Sequence, residues 1–272
     1  MTLLSQFTIT EHSAAYWRVT FSNPPINLVN PETILELQQI VGQIEAAPRL
    51  IVVVFDSAHP DFYLARYDIS RASDTPTAPG PTGLPTWIDL TTRLERSPVI
   101  SIASVRGRTR GVGSEFCLAC DLRFASREKA MFGQPEVPAG VVPGGGAIER
   151  LIALVGRARA LEIIIGGEDF DAATAERYGW INRAVPDADL DAFVDSYARR
   201  IASFDSYAIA EAKRLLNRTD VPAATMLIES QDAFLRATQR PEVRERGGRT
   251  RKVAIEAGAD FELRLGYYLG II

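Results

Sequence analysis

Two glutamates, Glu115 and Glu136, stand in the segments of this chain most suited to acid/base chemistry. Glu115 follows an apolar strand-like run, Val99 to Val105, and a turn containing Gly107, Gly111 and Gly113. A helix is predicted to begin near Ser114, which puts Glu115 in its first turn. Backbone N–H groups at such a helix start are free to point at an anion, and a developing oxyanion there gains from hydrogen bonds and the helix dipole. An acid in a first helical turn also simply complements the dipole, and on this segment alone that plainer reading is stronger. Glu136 lies in FGQPEVPAGVVPGGG, after a proline and among apolar and glycine residues. Partial desolvation there would raise its pKa and suit it to proton transfer. Taken alone, the segment fits a solvated surface turn as well.

Other chemistries fit poorly. Histidine occurs only at His12 and His59, and there is no nucleophile-elbow pattern for a Ser-His-Asp hydrolase. Cys117 and Cys120 spell C-x-x-C inside an apolar helical run with no second pair, so they read as packing thiols and no metal is expected. No P-loop occurs, and Gly140 through Gly146 lacks dinucleotide-binding spacing. A net charge of −4 argues against nucleic acid as the main partner. Leu50 to Phe55, the strongest apolar run, is too short to span a bilayer. The opening MTLLSQFTITEH lacks the basic region of a signal peptide, so a cytoplasmic location and no membrane partner are expected.

The elements that must position the two acids read as follows. Phe7–Thr10 and Tyr16–Phe21 are short strands, and Asn30-Pro31-Glu32 starts a helix with Ile34, Leu37, Val41 and Ile44 at helical spacing. Leu50–Phe55 is a buried strand. The stretch from Ser70 to Pro85 is a long surface loop, either a lid or an insertion without a role. A helix from Trp87 to Leu94 and the Val99–Val105 strand precede the glycine turn. Beyond it, Ser114–Cys120 and Ala147–Leu154 read as helices, with extended pieces at Leu122–Phe124 and Met131–Phe132. Helices dominate after Arg157, and Trp180–Val185 is the last strand. The division is an α/β core over 1–190 and a helical C-terminal region over 191–272.

Together the two glutamate segments spell something more specific. From Pro98 to Gly156 the chain resembles the crotonase family of enoyl-CoA hydratases and isomerases. The resemblance is carried by VRGRTRGVGSEFCLACDLRFAS, by FGQPEVPAGVVPGGGAIERLIALVGRARALE and by AATAERYGWINRAV, with weaker echoes in NPPINLVN and FYLARYDIS. It covers roughly residues 7 to 217.

The resemblance implies a crotonase-like α/β fold, a ββα superhelix with a helical C-terminal region serving oligomerisation. It also implies an acyl-CoA thioester as substrate and enolate chemistry. Matching ARYDIS to the family's Ala-Gly-Ala-Asp pattern puts Tyr67 at the first backbone N–H donor of the oxyanion hole. Ala65, Arg66 and Asp68 then fall against the coenzyme A substrate. Matching RGVGSE to the triple-glycine pattern puts Val112 at the second donor. Glu115 would activate the water and Glu136 would exchange the α-carbon proton. Coenzyme A travels as part of the substrate, and no further cofactor is implied. A homotrimer or hexamer is implied by analogy. Hydration of a 2-enoyl-CoA leads. Isomerisation, thioester hydrolysis, decarboxylation and binding without turnover are the alternatives on the same scaffold.

The departures are specific. Arg66 and Val112 stand where the family has glycine, and a β-branched residue restricts the backbone. Ser126–Ala130 is one residue longer than usual. Arg106, Arg108 and Arg110 alternate along one face if extended, and salt bridges between subunits are the favoured expectation for them, ahead of contacts to coenzyme A phosphates or a carboxylated acyl group. Beyond Asn217 the match fades, which points to a subfamily with its own substrate.

Overall fold

The computed structural model describes residues 4–272, so the first three residues of the opening stretch and of the core placed at 1–190 lie outside it. β1 (Phe7–Ser13) and β2 (Tyr16–Phe21) form an antiparallel pair. α1 (Pro31–Ala46) follows, and its start is built as the sequence indicates. The Asn30 side chain accepts from Thr33 N–H, and Thr33 Oγ1 accepts from Asn30 N–H, satisfying two donors that a bare helix end would leave open. Ile34, Leu37, Val41 and Ile44 form its buried stripe.

β3 (Val52–Ser57) leads to a short 3-10 turn at Ile69–Asp74, capped by Asp68, whose Oδ1 accepts from Ser70 N–H. The predicted loop up to Pro85 is present, but it is pinned at several points. Tyr67 Oη and Thr75 Oγ1 lie 2.6 Å apart, Thr86 Oγ1 donates to Ala78 O at 2.7 Å, and Thr82 donates from N and Oγ1 to the buried Asp89.

α2 (Thr86–Arg96), β4 (Ile100–Val105), β5 (Arg108–Arg110), α3 (Val112–Ala119), β6 (Leu122–Ser126), β7 (Met131–Gly133), α4 (Ala147–Gly166), β8 (Asp169–Asp171), α5 (Ala172–Tyr178) and β9 (Arg183–Val185) complete the α/β part. α4 is broken at Gly156, whose φ of 76° and ψ of 162° are not helical; this separates the helix read at Ala147–Leu154 from the helical run read after Arg157. The last strand is shorter than predicted, because Trp180 to Asn182 turn rather than pair.

Among the described residues, one sheet has the order β1-β2-β3-β4-β6-β9 and a second has β5-β7-β8. From β2 to β9 every neighbouring pair in the large sheet is parallel. A parallel sheet must be covered on both faces, which explains the unbroken apolar runs of β3 and β4. Val53 and Phe55 face the main core with α1, α2 and α3, whereas Val52, Val54, Ile102 and Phe124 meet Leu190, Val194 and Ala198. The latter three belong to α6 (Leu190–Ala202). The helical region therefore begins by covering the sheet.

α7 (Ser206–Asp220), α8 (Ala224–Thr238), α9 (Pro241–Ala257), α10 (Ala259–Leu263) and α11 (Leu265–Gly270) follow. The last three share a small core of Phe261, Leu265 and Leu269 with Val253, Ala254 and Tyr268.

The arginine series finds partners within its own chain. Arg106 pairs with Asp187 and Asp191 of its own chain, and Arg110 with Asp169 at 2.6 Å. Arg108 Nε donates to Leu263 O, and Arg110 Nη1 to Glu262 O. The segment is strand β5 instead of a turn, so Arg108 and Arg110 share a face, and that face meets the chain's own C-terminal helices.

Candidate active site

The two glutamates are brought together by the small sheet. In the parallel pairing of β5 with β7, Arg108 is opposite Met131, Thr109 opposite Phe132 and Arg110 opposite Gly133. Gly111 N–H extends the ladder to Gly133 O at 3.0 Å. From that point one strand leads into the first turn of α3, carrying Glu115, and the other into the segment carrying Glu136. Gln134 Nε2 donates to Ser114 Oγ at 3.3 Å and ties the two segments directly. Gly111 has φ +52°, and a Cβ there would stand 2.7 Å from Glu136 Oε1, so the carboxyl lies over the glycine's backbone.

Glu115 is buried, and its Oε1 accepts from Gly145 N–H at 2.7 Å. Burial pushes its carboxyl up to about 7, although the Gly145 and Ala147 N–H groups and the Arg150 charge all favour the ionised form. Ala147 is the first residue of α4, so Glu115 also sits against a helix start. Arg150 is itself fixed by a buried pair with Glu95 at 2.6 Å and by donation to Gly145 O at 3.1 Å. Glu136 has no such support. Its Oε2 is buried without a hydrogen-bond partner, and burial, then the nearby Glu115 charge, push its carboxyl well above the ordinary range. Both carboxyls are thus pushed upward by burial, and they differ in what opposes that push: two backbone N–H groups and Arg150 stand against Glu115, whereas the Glu115 charge adds to the rise at Glu136.

The predicted oxyanion donors lie on adjacent, parallel pieces of chain. Arg110 N–H bonds to Ala65 O at 3.0 Å, and two residues further along each piece stand Tyr67 and Val112. Val29 N–H bonds to Arg66 O and Asp68 N–H to Val29 O, the pattern that turns the N–H of Tyr67 away from that ladder. Val112 opens α3, where an N–H has no carbonyl one turn back. The approach is close: a Cβ on Gly113 would stand 1.9 Å from Leu64 O. Val112 itself packs against the main core, so its branched side chain is accommodated in the helix start.

The residues expected at the coenzyme are placed differently from one another. Ala65 is buried in the main chain's crossing with Asn27, Asp68 caps the 3-10 turn, and Arg66 is half-buried and ion-paired with Glu262 of α10. Trp87, Gly145 and Arg150 at the site escaped sequence reasoning. Trp87 and Arg150 lay inside helices read only for packing, and Gly145 in a glycine run without spacing of its own. Two surface hollows of about 300 and 360 Å³ both border Pro98 and α7, and neither contains Glu115 or Glu136. Among the described residues no group of His, Cys, Asp and Glu is arranged to hold a metal, and no helix is long and apolar enough to cross a membrane.

A parallel-stranded core, a second small sheet that brings Glu115 and Glu136 together, and a helical C-terminal region make up a crotonase-like α/β fold. The chain belongs to the enoyl-CoA hydratase/isomerase family, whose profile matches residues 11–251. It is 32% identical over 201 residues to the short-chain-enoyl-CoA hydratase of Clostridium acetobutylicum, covering 74% of this chain and 77% of that one. Among solved structures, a candidate enoyl-CoA hydratase of Streptomyces avermitilis superposes with a TM-score of 0.92 at 39% identity, over 100% of this chain and 99% of that one. A Geobacillus kaustophilus protein described as an enoyl-CoA hydratase gives 0.74 at 27% identity, over 90% and 92%.

Proposed function

We propose that this chain hydrates a 2-enoyl-CoA thioester, using Glu115 as base and Glu136 as acid. The observation that carries the reading is the unequal pair: Glu115 held by Gly145 N–H, and Glu136 with a buried, unpartnered oxygen beside it. The N–H groups of Tyr67 and Val112 would take the thioester oxygen, where negative charge gathers as the enolate forms. Ionised Glu115 removes a proton from water as the water oxygen bonds to the β-carbon and the π electrons move toward the thioester carbonyl oxygen. Protonated Glu136 then delivers its proton to the α-carbon. The pair resets by passing the proton from Glu115 back to Glu136. Isomerisation of a double bond calls for one proton shuttle, so retention of two acids with opposed protonation favours hydration.

Coenzyme A enters on the substrate, with Ala65, Arg66 and Asp68 at its binding edge, and the chemistry asks for no other cofactor. The proposed setting is cytoplasmic fatty-acid metabolism. The proposed assembly is a homotrimer or hexamer built through the helical region at 191–272.

The test is direct. Hydration of a short and a long 2-enoyl-CoA is followed for the wild type, E115Q and E136Q, and each variant is expected to lose about 10²- to 10⁴-fold in kcat. Turnover of both variants at the wild-type rate would refute the assignment. Thioester binding by the wild type without any turnover would favour a binding protein.

A further inference from the structure

We propose that Trp87 is a further catalytic residue of this site, its indole N–H donating a hydrogen bond to the water that Glu115 activates. The proposal rests on the hydratase reading. Trp87 lies in the first turn of α2 and is only 9% exposed, yet its Nε1 is buried with no acceptor in the protein. A buried donor left unpaired bears its full desolvation cost, so such a group calls for an occupant that accepts. Its position says which occupant. A Cβ on Gly145 would stand 2.5 Å from Trp87 Nε1 and 2.1 Å from Glu115 Oε2, so indole and carboxyl meet at the same patch of backbone. Trp17 and Trp180 also carry unpaired indole N–H groups; Trp87 differs in standing against the carboxyl that serves as base.

An indole donates and does not accept, so it cannot compete with Glu115 for the proton. A water that gives one O–H to Glu115 and accepts from Trp87 has its remaining lone pair left to attack the β-carbon. On attack the O–C bond forms, the O–H bond breaks toward Glu115, and the π electrons pass to the thioester. The indole keeps its proton throughout. Its contribution is orientation.

The ring also packs 6.5 Å from that of Phe116, a contact that Trp87→Phe preserves while removing the N–H. Two rates are measured on the full chain: hydration of a short 2-enoyl-CoA, and exchange of the α-hydrogens of a saturated acyl-CoA in D2O, which uses Glu136 and no attacking water. W87F is expected to lose about 10- to 100-fold in hydration kcat, with KM and α-exchange each within about twofold of wild type. Unchanged hydration would overturn the proposal, and so would an equal fall in both rates, which marks a packing role. A wild type that exchanges without hydrating would defeat the hydratase reading itself, an outcome distinct from either.

Discussion

At the scale of single residues, the proposed site places like groups in unlike surroundings. Glu115 is raised to about 7 by burial against three opposing influences, whereas Glu136 is raised by burial and the Glu115 charge with only its own N–H to oppose them. A carboxyl whose pKa is raised on folding binds more protons folded than unfolded between the two values, so stability falls as pH climbs through that window. For Glu115 the window runs from about 4.5 to about 7. Glu115→Gln should therefore flatten the pH dependence of unfolding, and its gain over wild type should be larger at pH 8 than at pH 5, on the order of 1–3 kcal/mol. Urea midpoints at the two pH values check this; a gain at pH 5 alone would contradict it. Catalysis should show the mirror image, with hydration falling on the acid side of about pH 7 as the base is protonated. A rate that stays flat from pH 8 to pH 5 would remove Glu115 as the base.

At the scale of elements, the three-residue strand β5 matters more than its length suggests. It aligns the two acid-bearing segments with β7, and its arginine face fastens the C-terminal helices. Arg110 is 1% exposed, pairs with Asp169 and donates to Glu262 O and Leu263 O. Replacing it with methionine strands a half-buried carboxylate and two carbonyls, a loss of about 3–5 kcal/mol by analogy with broken buried pairs. Denaturant unfolding of R110M measures that loss, and amide exchange should speed up first in residues 259–270. Arg66 with Glu262 is a more exposed clasp on the same helices, and R66A should cost no more than about 1 kcal/mol. The loop before α2 is held through Asp89, so Asp89→Ala should accelerate exchange over residues 76–85 while leaving the central strands protected. Equal acceleration throughout would mean that Asp89 supports the core instead.

At the scale of the whole molecule, much of the architecture was legible because strong local signals agreed with burial. Asn30-Pro31, the Val-rich β3 and the helical spacing of α1 each had one physical solution. The acid pair was legible through the family motif and not through either segment alone, since each glutamate also suits an ordinary turn. What escaped was what depends on distant partners. β5 and β8 are three residues each, too short for periodicity, and exist by pairing with β7. α9 carries few apolar residues, and α10 is held by contacts with Arg66, Arg108 and Arg110, which lie far back in the chain. The intrachain partners of the arginines escaped because sequence shows charge without showing its partner.

Hydration by the proposed route requires that Glu115 and Glu136 act on one thioester as a unit. The double variant E115Q/E136Q, compared with each single variant in kcat/KM for enoyl-CoA hydration, measures this directly. Residues that act as a unit are non-additive, so the double variant should lose no more than about tenfold beyond the worse single. Losses that multiply, as for two independent sites, would contradict it.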